Sequence, residues 1–297
     1  MLLINTDING NIPKYKYHKK FSIKWGIFLW FFKGEKMDKT AFDFKRIAQG
    51  YKSRPFLHKQ VIEKFQSDIT SKRFTYGLDV GCGAGLSTKA LKLICKHVIG
   101  ADISSEMINI AREVCEDSNE YHFMVTKAEE IPAMKEKIDI ITVAGAIQWI
   151  DRQDFLHNIN NIISDDGYVL IYDFSISDMM RNNDLYNKWW HNIYLKEFPK
   201  PYRNEYVWTS KDVKKFDFTM LKQIELELEY EFDLETFVQF MMIQSNVNAK
   251  IDGEGRDIEE VHKWFEDTLT PIFTNIKEKL VFKGYSWYMQ KIPYSIL

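Results

Sequence analysis

Apolar positions along the chain switch repeatedly between helical and strand spacing. Phe56 to Ile69 reads as a helix, and Tyr76 to Val80 as a short buried strand that runs into glycines. Ser87 to Cys95 carries Ala90, Leu91 and Ile94 on one face and predicts a helix, followed by a strand over Val98 to Asp102. Ser104 is placed to cap a helix in which Met107, Ile110, Ala111 and Val114 recur at helical spacing. Tyr121 to Thr126 and Ile138 to Ala144 read as strands, the second apolar nearly throughout. Phe155, Ile159, Ile162 and Ile163 form the stripe of a further helix, and Asp165-Asp166-Gly167 turns into a strand over Tyr168 to Phe174.

Strands alternating with helices predict an α/β fold with a mostly parallel sheet and helices on both faces, because parallel strands need crossover connections. Beyond residue 175 the texture changes. Asp178 to Phe198 reads as helical and rich in large aromatics, whereas Ile224 to Phe232 alternates strictly, as a half-exposed antiparallel strand does. Asp233 to Gln244 and Asp257 to Leu280 read as helical, with Pro271 kinking or dividing the second, and Val281 to Gln290 closes the chain as a strand. The expected division is an extension over residues 1–36 and a single domain over 37–297, with a helical, aromatic-rich insertion at about 176–215.

Charge separates those two pieces. Residues 1–36 hold seven lysines against Asp7 and Glu35, while the rest of the chain carries 33 basic and 40 acidic side chains. The apolar run Ile23 to Phe32 is too short for a bilayer, which takes roughly 20 residues. Lysines precede it as in a signal peptide, but Lys33-Gly34-Glu35-Lys36 stands where a small-residue cleavage site belongs. Spelled in purine-rich codons, that tetrapeptide would carry a bacterial ribosome-binding site just before Met37. Translation is therefore expected to start at Met37, with residues 1–36 non-native or disordered. An interfacial membrane anchor and an ordinary structured arm are the alternatives.

The whole chain of 297 residues is 45% hydrophobic, enough for a packed core, and its 40 basic and 42 acidic side chains leave no electrostatic footprint for nucleic acid. Cys82, Cys95 and Cys115 match no zinc or redox spacing, so no metal site is expected, and reduced thiols in the cytoplasm are.

The chemistry concentrates in Leu78-Asp79-Val80-Gly81-Cys82-Gly83-Ala84-Gly85. A glycine turn between strand and helix lets a ligand press on the backbone at the carboxyl end of a sheet. A dinucleotide fingerprint would need a glycine where Leu86 stands, and Asp79 would repel a pyrophosphate while attracting an ammonium or a sulfonium. Asp102 ends the second strand, 21 positions after Gly81, where a carboxylate can accept from both hydroxyls of a ribose. A cationic nucleoside suits this set better than NAD. A tight turn beside an incidental surface aspartate is the bland alternative.

Through these residues the chain resembles the class I S-adenosylmethionine-dependent methyltransferases, in LDVGCGAGLST and in the strand end GADIS. The resemblance covers roughly residues 45–175, with an echo in Phe282 to Tyr288, and implies a Rossmann-like seven-stranded sheet with an antiparallel last strand. It implies S-adenosylmethionine as cofactor, held by Asp79, Gly81, Cys82, Gly83, Gly85, Asp102, Ile103 and Met107. Ala128 and Glu129, in Lys127 to Pro132, would lie at the adenine, and Ala144 in the fourth-strand motif would face the methyl group. Tyr51-Lys52-Ser53-Arg54-Pro55 and Gln148-Trp149 resemble the group that includes trans-aconitate methyltransferase, where His-Trp is common. Gln148 in place of the histidine puts a general base in doubt, so no catalytic residue is assigned.

The expected reaction is in-line methyl transfer to a small-molecule acceptor, governed by positioning. A carboxylic acid is one such acceptor and needs no base, whereas an amine or hydroxyl must lose a proton. A protein that binds the cofactor without catalysis is the runner-up. Tyr51, Arg54, Gln148, Trp149, Trp190, Tyr194, Arg203 and Ser245 are candidate acceptor contacts. For Trp190 and Tyr194 the alternative is an insert that packs its aromatics inward. For Arg54 it is a surface arginine rather than a partner of the cofactor carboxylate. His191 and the Met241-Met242 pair are weaker candidates, a surface group and core filler in the bland reading. Ala144-Gly145-Ala146-Ile147 replaces the Asn-Pro-Pro-aromatic motif of base-amine methylation, and no cysteine follows Cys115 for cytosine C5 chemistry. No nucleic-acid partner is expected, and no membrane unless residues 1–36 anchor one.

Overall fold

The structure is a computed structural model that describes residues 50, 54–69, 73–116, 119–200 and 207–293. The expectations for residues 1–36, Tyr51 and Arg203 lie outside the described residues.

Seven strands form one sheet: β1 (Phe74–Val80), β2 (Cys95–Asp102), β3 (Tyr121–Val125), β4 (Ile138–Ala144), β5 (Ile163–Met180), β6 (Phe218–Phe232) and β7 (Glu278–Lys291). Their order is β3-β2-β1-β4-β5-β7-β6. Strands β1 to β5 are parallel, and β7 runs antiparallel to both of its neighbours. The expected α/β sheet with an antiparallel last strand is therefore the observed one. Burial follows position. In central β4 only Asp139 and Ala144 are not fully buried, while edge strand β6 exposes alternate residues, Glu225, Glu227 and Glu231 among them. Charges along an exposed edge discourage pairing with another chain.

Helices α1 (His58–Ile69) and α2 (Leu86–Leu91) cover one face of the sheet. Helix α3 (Ser105–Val114) follows β2, and α4 (Arg152–Asn160) covers the other face with the indoles of Trp208 and Trp287. Ser104 caps α3 as expected, its hydroxyl accepting from Met107 N at 3.3 Å. The helix expected to reach Cys95 ends at Leu91, because Leu91 and Cys95 must both face the core across a tight turn before β2 begins.

Two expectations near β5 fail for one reason. Ile163, assigned to a helical stripe, starts β5 and pairs with Ile138; a bulge before Tyr168 then absorbs the exposed Asp165-Asp166. At the other end β5 runs on to Met180 because β7 supplies a partner as far as Leu280. Helix α5 (Asp184–Trp189) therefore starts later than Asp178, capped by Asn183.

Beyond β5 the chain builds a cap. Helix α5 continues through a wide turn over Trp190–Tyr194 to Glu197, and α6 (Ser210–Lys214) leads into β6. Between β6 and β7 stand α7 (Leu234–Met242), α8 (Ser245–Asn248) and α9 (Ile258–Leu269). Helix α9 stops two residues ahead of Pro271. Met241 and Met242 are core filler, buried with Phe237, Phe265 and Phe282.

Candidate functional site

Gly81, Gly83 and Gly85 have φ of 67°, 52° and 87°, which glycine adopts without steric cost. A Cβ at Gly81 would stand 2.5 Å from Ala146 Cβ, so the loop after β1 and the segment after β4 touch there. Gly83 is different, since nothing lies within 4 Å of a Cβ built on it. Here the backbone is left bare toward open space, as close approach of a ligand requires.

Asp79 does not face that space. It is completely buried: Ser87 Oγ and Thr88 Oγ1 donate to its Oδ2 at 2.6 and 2.7 Å, and Thr142 Oγ1 to its Oδ1 at 2.8 Å. Burial pushes its carboxyl up to about 6, against the pull of the three hydroxyls. This corrects the expectation of direct attraction. Asp79 latches α2 and β4 beneath the loop, and any effect on a ligand is a field through the backbone. Cys82 is a buried filler, its thiol pushed well above the ordinary range by burial and by Asp102 and Asp79.

Asp102 closes the loop from the side. Its Oδ2 accepts from Gly83 N and its Oδ1 from Ser104 N, both at 2.9 Å. Ile103 is half-buried beside it and Met107 buried behind. Ala128 and Glu129 lie half-buried in the short turn after β3, where Glu129 Oε1 accepts from Asp151 N at 2.7 Å. A bare glycine, a half-buried carboxylate at its side and apolar flanks fit a nucleoside whose ribose meets the carboxylate.

On the other side, Ala144 and Gly145 are half-buried, and Gln148 Nε2 donates to Gly145 O at 3.0 Å. Gln148 and Trp149 are exposed, Trp149 at 43%. Arg54 is half-buried and close enough to His58 to act on its charge. The structure buries Trp190 and Tyr194 in the cap, which corrects their reading as pocket walls. Tyr194 stacks on Trp189 at 5.3 Å, and its hydroxyl is bonded to Asn246. Packing inward removes their apolar area from water. Ser245 is exposed at the start of α8, and His191 pairs at the surface with Asp178 at 2.8 Å.

Three residues at this rim escaped sequence reasoning. His58 Nδ1 lies 2.9 Å from Tyr172 Oη, and burial with the nearby Arg54 charge pushes the imidazole down to about 3. Nothing in the sequence marks that pair. Asp173 did carry a signal, being the acid that ends the apolar run Tyr168 to Tyr172 as Asp102 ends Val98 to Ala101. Its Oδ1 lies 3.3 Å from where a Cβ of Gly145 would stand.

Residues 78–171 match a family model described as a methyltransferase domain. A provisionally described methyltransferase of Dictyostelium discoideum is 28% identical over 198 residues, covering 63% of this chain and 72% of that protein. The ubiquinone/menaquinone biosynthesis C-methyltransferase of Vibrio vulnificus is 29% identical over 160 residues, covering 48% of this chain and 60% of that one. Among solved structures, a provisionally described type II methyltransferase of Anaeromyxobacter dehalogenans shares the fold, with a TM-score of 0.59 at 18% identity over 81% of this chain and 98% of that one. The matched segment begins at the strand carrying Asp79 and ends within β5, so it contains the whole cradle. Residues 78–171 are thus similar to a methyltransferase domain, on a sheet whose fold a solved methyltransferase shares.

Proposed function

We propose that the protein transfers a methyl group from S-adenosylmethionine to a small-molecule acceptor in the cytoplasm, with positioning supplying most of the rate. The observation that carries this is the junction of two loops, Ala146 resting on Gly81 while Gly83 stays bare beside Asp102. One loop serves the donor and the other borders the acceptor, so their contact brings the two reactants to one place. Such alignment is worth about 7–11 kcal/mol by effective molarity.

When bound, the cofactor supplies an electrophilic methyl and a neutral leaving group. The chain's part is to hold. Asp102 accepts from the ribose hydroxyls, Gly83 admits the ligand against the backbone, and Gln148, tied to Gly145 O, stiffens the segment beside the transfer point. Tyr51 to Pro55 and Gln148-Trp149 resemble the group that includes trans-aconitate methyltransferase, and a carboxylic acid, which needs no base, is one acceptor this reading admits.

Asp102→Ala should weaken S-adenosylhomocysteine binding about 10- to 100-fold in calorimetry, the worth of charged hydrogen bonds. Unchanged affinity would place the ribose elsewhere, and tight NAD binding in its stead would overturn the cofactor reading. Gln148 in place of a histidine motivates the second reading, a binding protein without transfer. Labelled methyl transfer into metabolite pools separates the two, since binding with no acceptor turned over supports the second.

A further inference from the structure

His58, the first residue of α1, meets Tyr172 near the carboxyl end of the parallel strands, where such sheets take their ligands. Tyr172 pairs with Ala144 in the sheet, and its carbonyl oxygen accepts from Gly145 N at 2.8 Å. The pair therefore stands level with the segment after β4. The Tyr172 side chain is completely buried, and its hydroxyl has one hydrogen-bond partner among the described residues, His58 Nδ1 at 2.9 Å. A buried hydroxyl hydrogen without an acceptor is costly, so the hydroxyl donates and Nδ1 accepts. Burial and the field of Asp79 hold the phenol well above its ordinary range, so it keeps that proton.

A neutral imidazole carries one hydrogen, and with Nδ1 accepting, that hydrogen lies on Nε2. Burial and the charge of Arg54 push the imidazole down to about 3, which keeps a second proton off. Two rings fix its plane: Tyr172 lies edge-on at 5.7 Å between centroids, and Phe174 is tilted against it at 5.1 Å. With Nδ1 turned to the sheet, Nε2 is on the other side of a half-buried ring and has no partner among the described residues.

We propose that His58 presents Nε2–H to an oxygen of the methyl acceptor and holds it for transfer, with Tyr172 as the positioning residue that fixes the tautomer. This rests on the transfer reading above and adds an acceptor contact on α1. Such a donor suits a carboxylate or carbonyl oxygen, which accepts, and not an ammonium, which only donates. His58 is not a base here, because its accepting nitrogen is already bonded inside the protein. With a carboxylate, one oxygen accepts from Nε2 while a lone pair of the other forms the bond to the methyl carbon. The carbon–sulfur bond breaks, its electron pair stays on sulfur as a neutral thioether, and no proton has to move.

Nitrogen NMR of the full chain, isotope-labelled at histidine, reads the tautomer without any ligand. His58, identified by its loss in His58→Asn, should show Nε2 protonated and Nδ1 not, with no titration between about pH 5 and pH 8. In Tyr172→Phe the two tautomers should mix. A proton on Nδ1, or an imidazolium at neutral pH, in the wild type would overturn the proposal, and this holds even where a variant fails to fold. Use of the donor is read by labelled methyl transfer from S-adenosylmethionine into a metabolite extract, followed over dilutions of the extract. His58→Gln keeps an N–H where Nε2 stood, whereas His58→Asn keeps only a partner for the Tyr172 hydroxyl. The Asn variant should need about tenfold more extract for half-maximal rate, and the Gln variant less than about threefold more. Equal loss in both variants, or none in either, would overturn the assignment of His58 and leave the transfer reading intact. Calorimetry with S-adenosylhomocysteine should give both variants within about twofold of wild type. A loss there matching the loss of transfer would place His58 on the cofactor and overturn the proposal. No labelled product from the wild type would overturn the transfer reading and this one with it.

Discussion

The parallel half of the sheet, β1 to β4, and the cap with its antiparallel strands solve different problems. In the first, backbone demands are local. The three glycines stand within five positions and Asp102 and Ser104 within three, and the two groups meet across 19 positions through Gly83 N and Asp102. In the cap, side chains from α5, its following turn and α9 meet only after long loops have closed. Phe198 stacks on Phe265 at 5.4 Å and Trp189 lies 6.4 Å from the same ring, so the rings depend on a partner more than sixty residues away. The lesson is that the glycine-loop cradle is built largely on short-range geometry, while the cap is built on long-range packing.

The sharpest way to break that division is to damage the cap. Phe265 is fully buried among Trp189, Tyr194, Phe198 and Trp264. Phe265→Ala should cost about 3–5 kcal/mol of stability in denaturant titration. If the halves are separable, the folded fraction should still bind S-adenosylhomocysteine within about twofold of wild type by the same reasoning of distant, independent sites. A parallel loss of affinity would show that cap packing reaches the donor cradle.

The same division explains what could be read from the sequence. LDVGCGAGLST, Asp102 and the Ser104 cap were legible because glycine conformation, strand ends and caps leave their mark within a few residues. The role of Asp79 was not, since one of its three donors, Thr142, arrives from 63 positions away and turns an exposed-looking acid into a buried latch. Trp190 and Tyr194 looked like pocket walls because their covering partners, Asn246 and α9, lie far along the chain. The extent of β5 was hidden for the same reason, as β7 decides it.

A middle-sized effect tests the latch inside the donor half. The native carboxyl of Asp79 is raised to about 6 from 3.8, so the folded state holds that proton more tightly than the unfolded chain. Its contribution to stability is full below the unfolded value and is lost as pH rises through about 6. Asp79→Asn, which cannot ionise, should lack that loss. Relative to the variant, wild type should therefore lose about 2 kcal/mol between pH 4 and pH 7. Paired melts across this range measure the difference, in which other titrating groups cancel. A constant difference would mean that the three hydroxyls compensate fully for burial.

The smallest effect lies where donor loop and helix join. Ser104 is 3% exposed; its backbone N–H donates to Asp102 Oδ1 while its side chain caps α3. Ser104→Ala removes the cap while the backbone donor to Asp102 remains, and should cost about 1 kcal/mol of stability. Because Asp102 keeps both of its backbone donors, Gly83 and residue 104, the affinity for S-adenosylhomocysteine should hold within about twofold, additivity applying where no partner is shared. Should affinity fall tenfold instead, the capped end of α3 would itself be steering the Asp102 carboxylate. The donor half would then depend on helix placement as the cap does, and its short-range character would end at the strand.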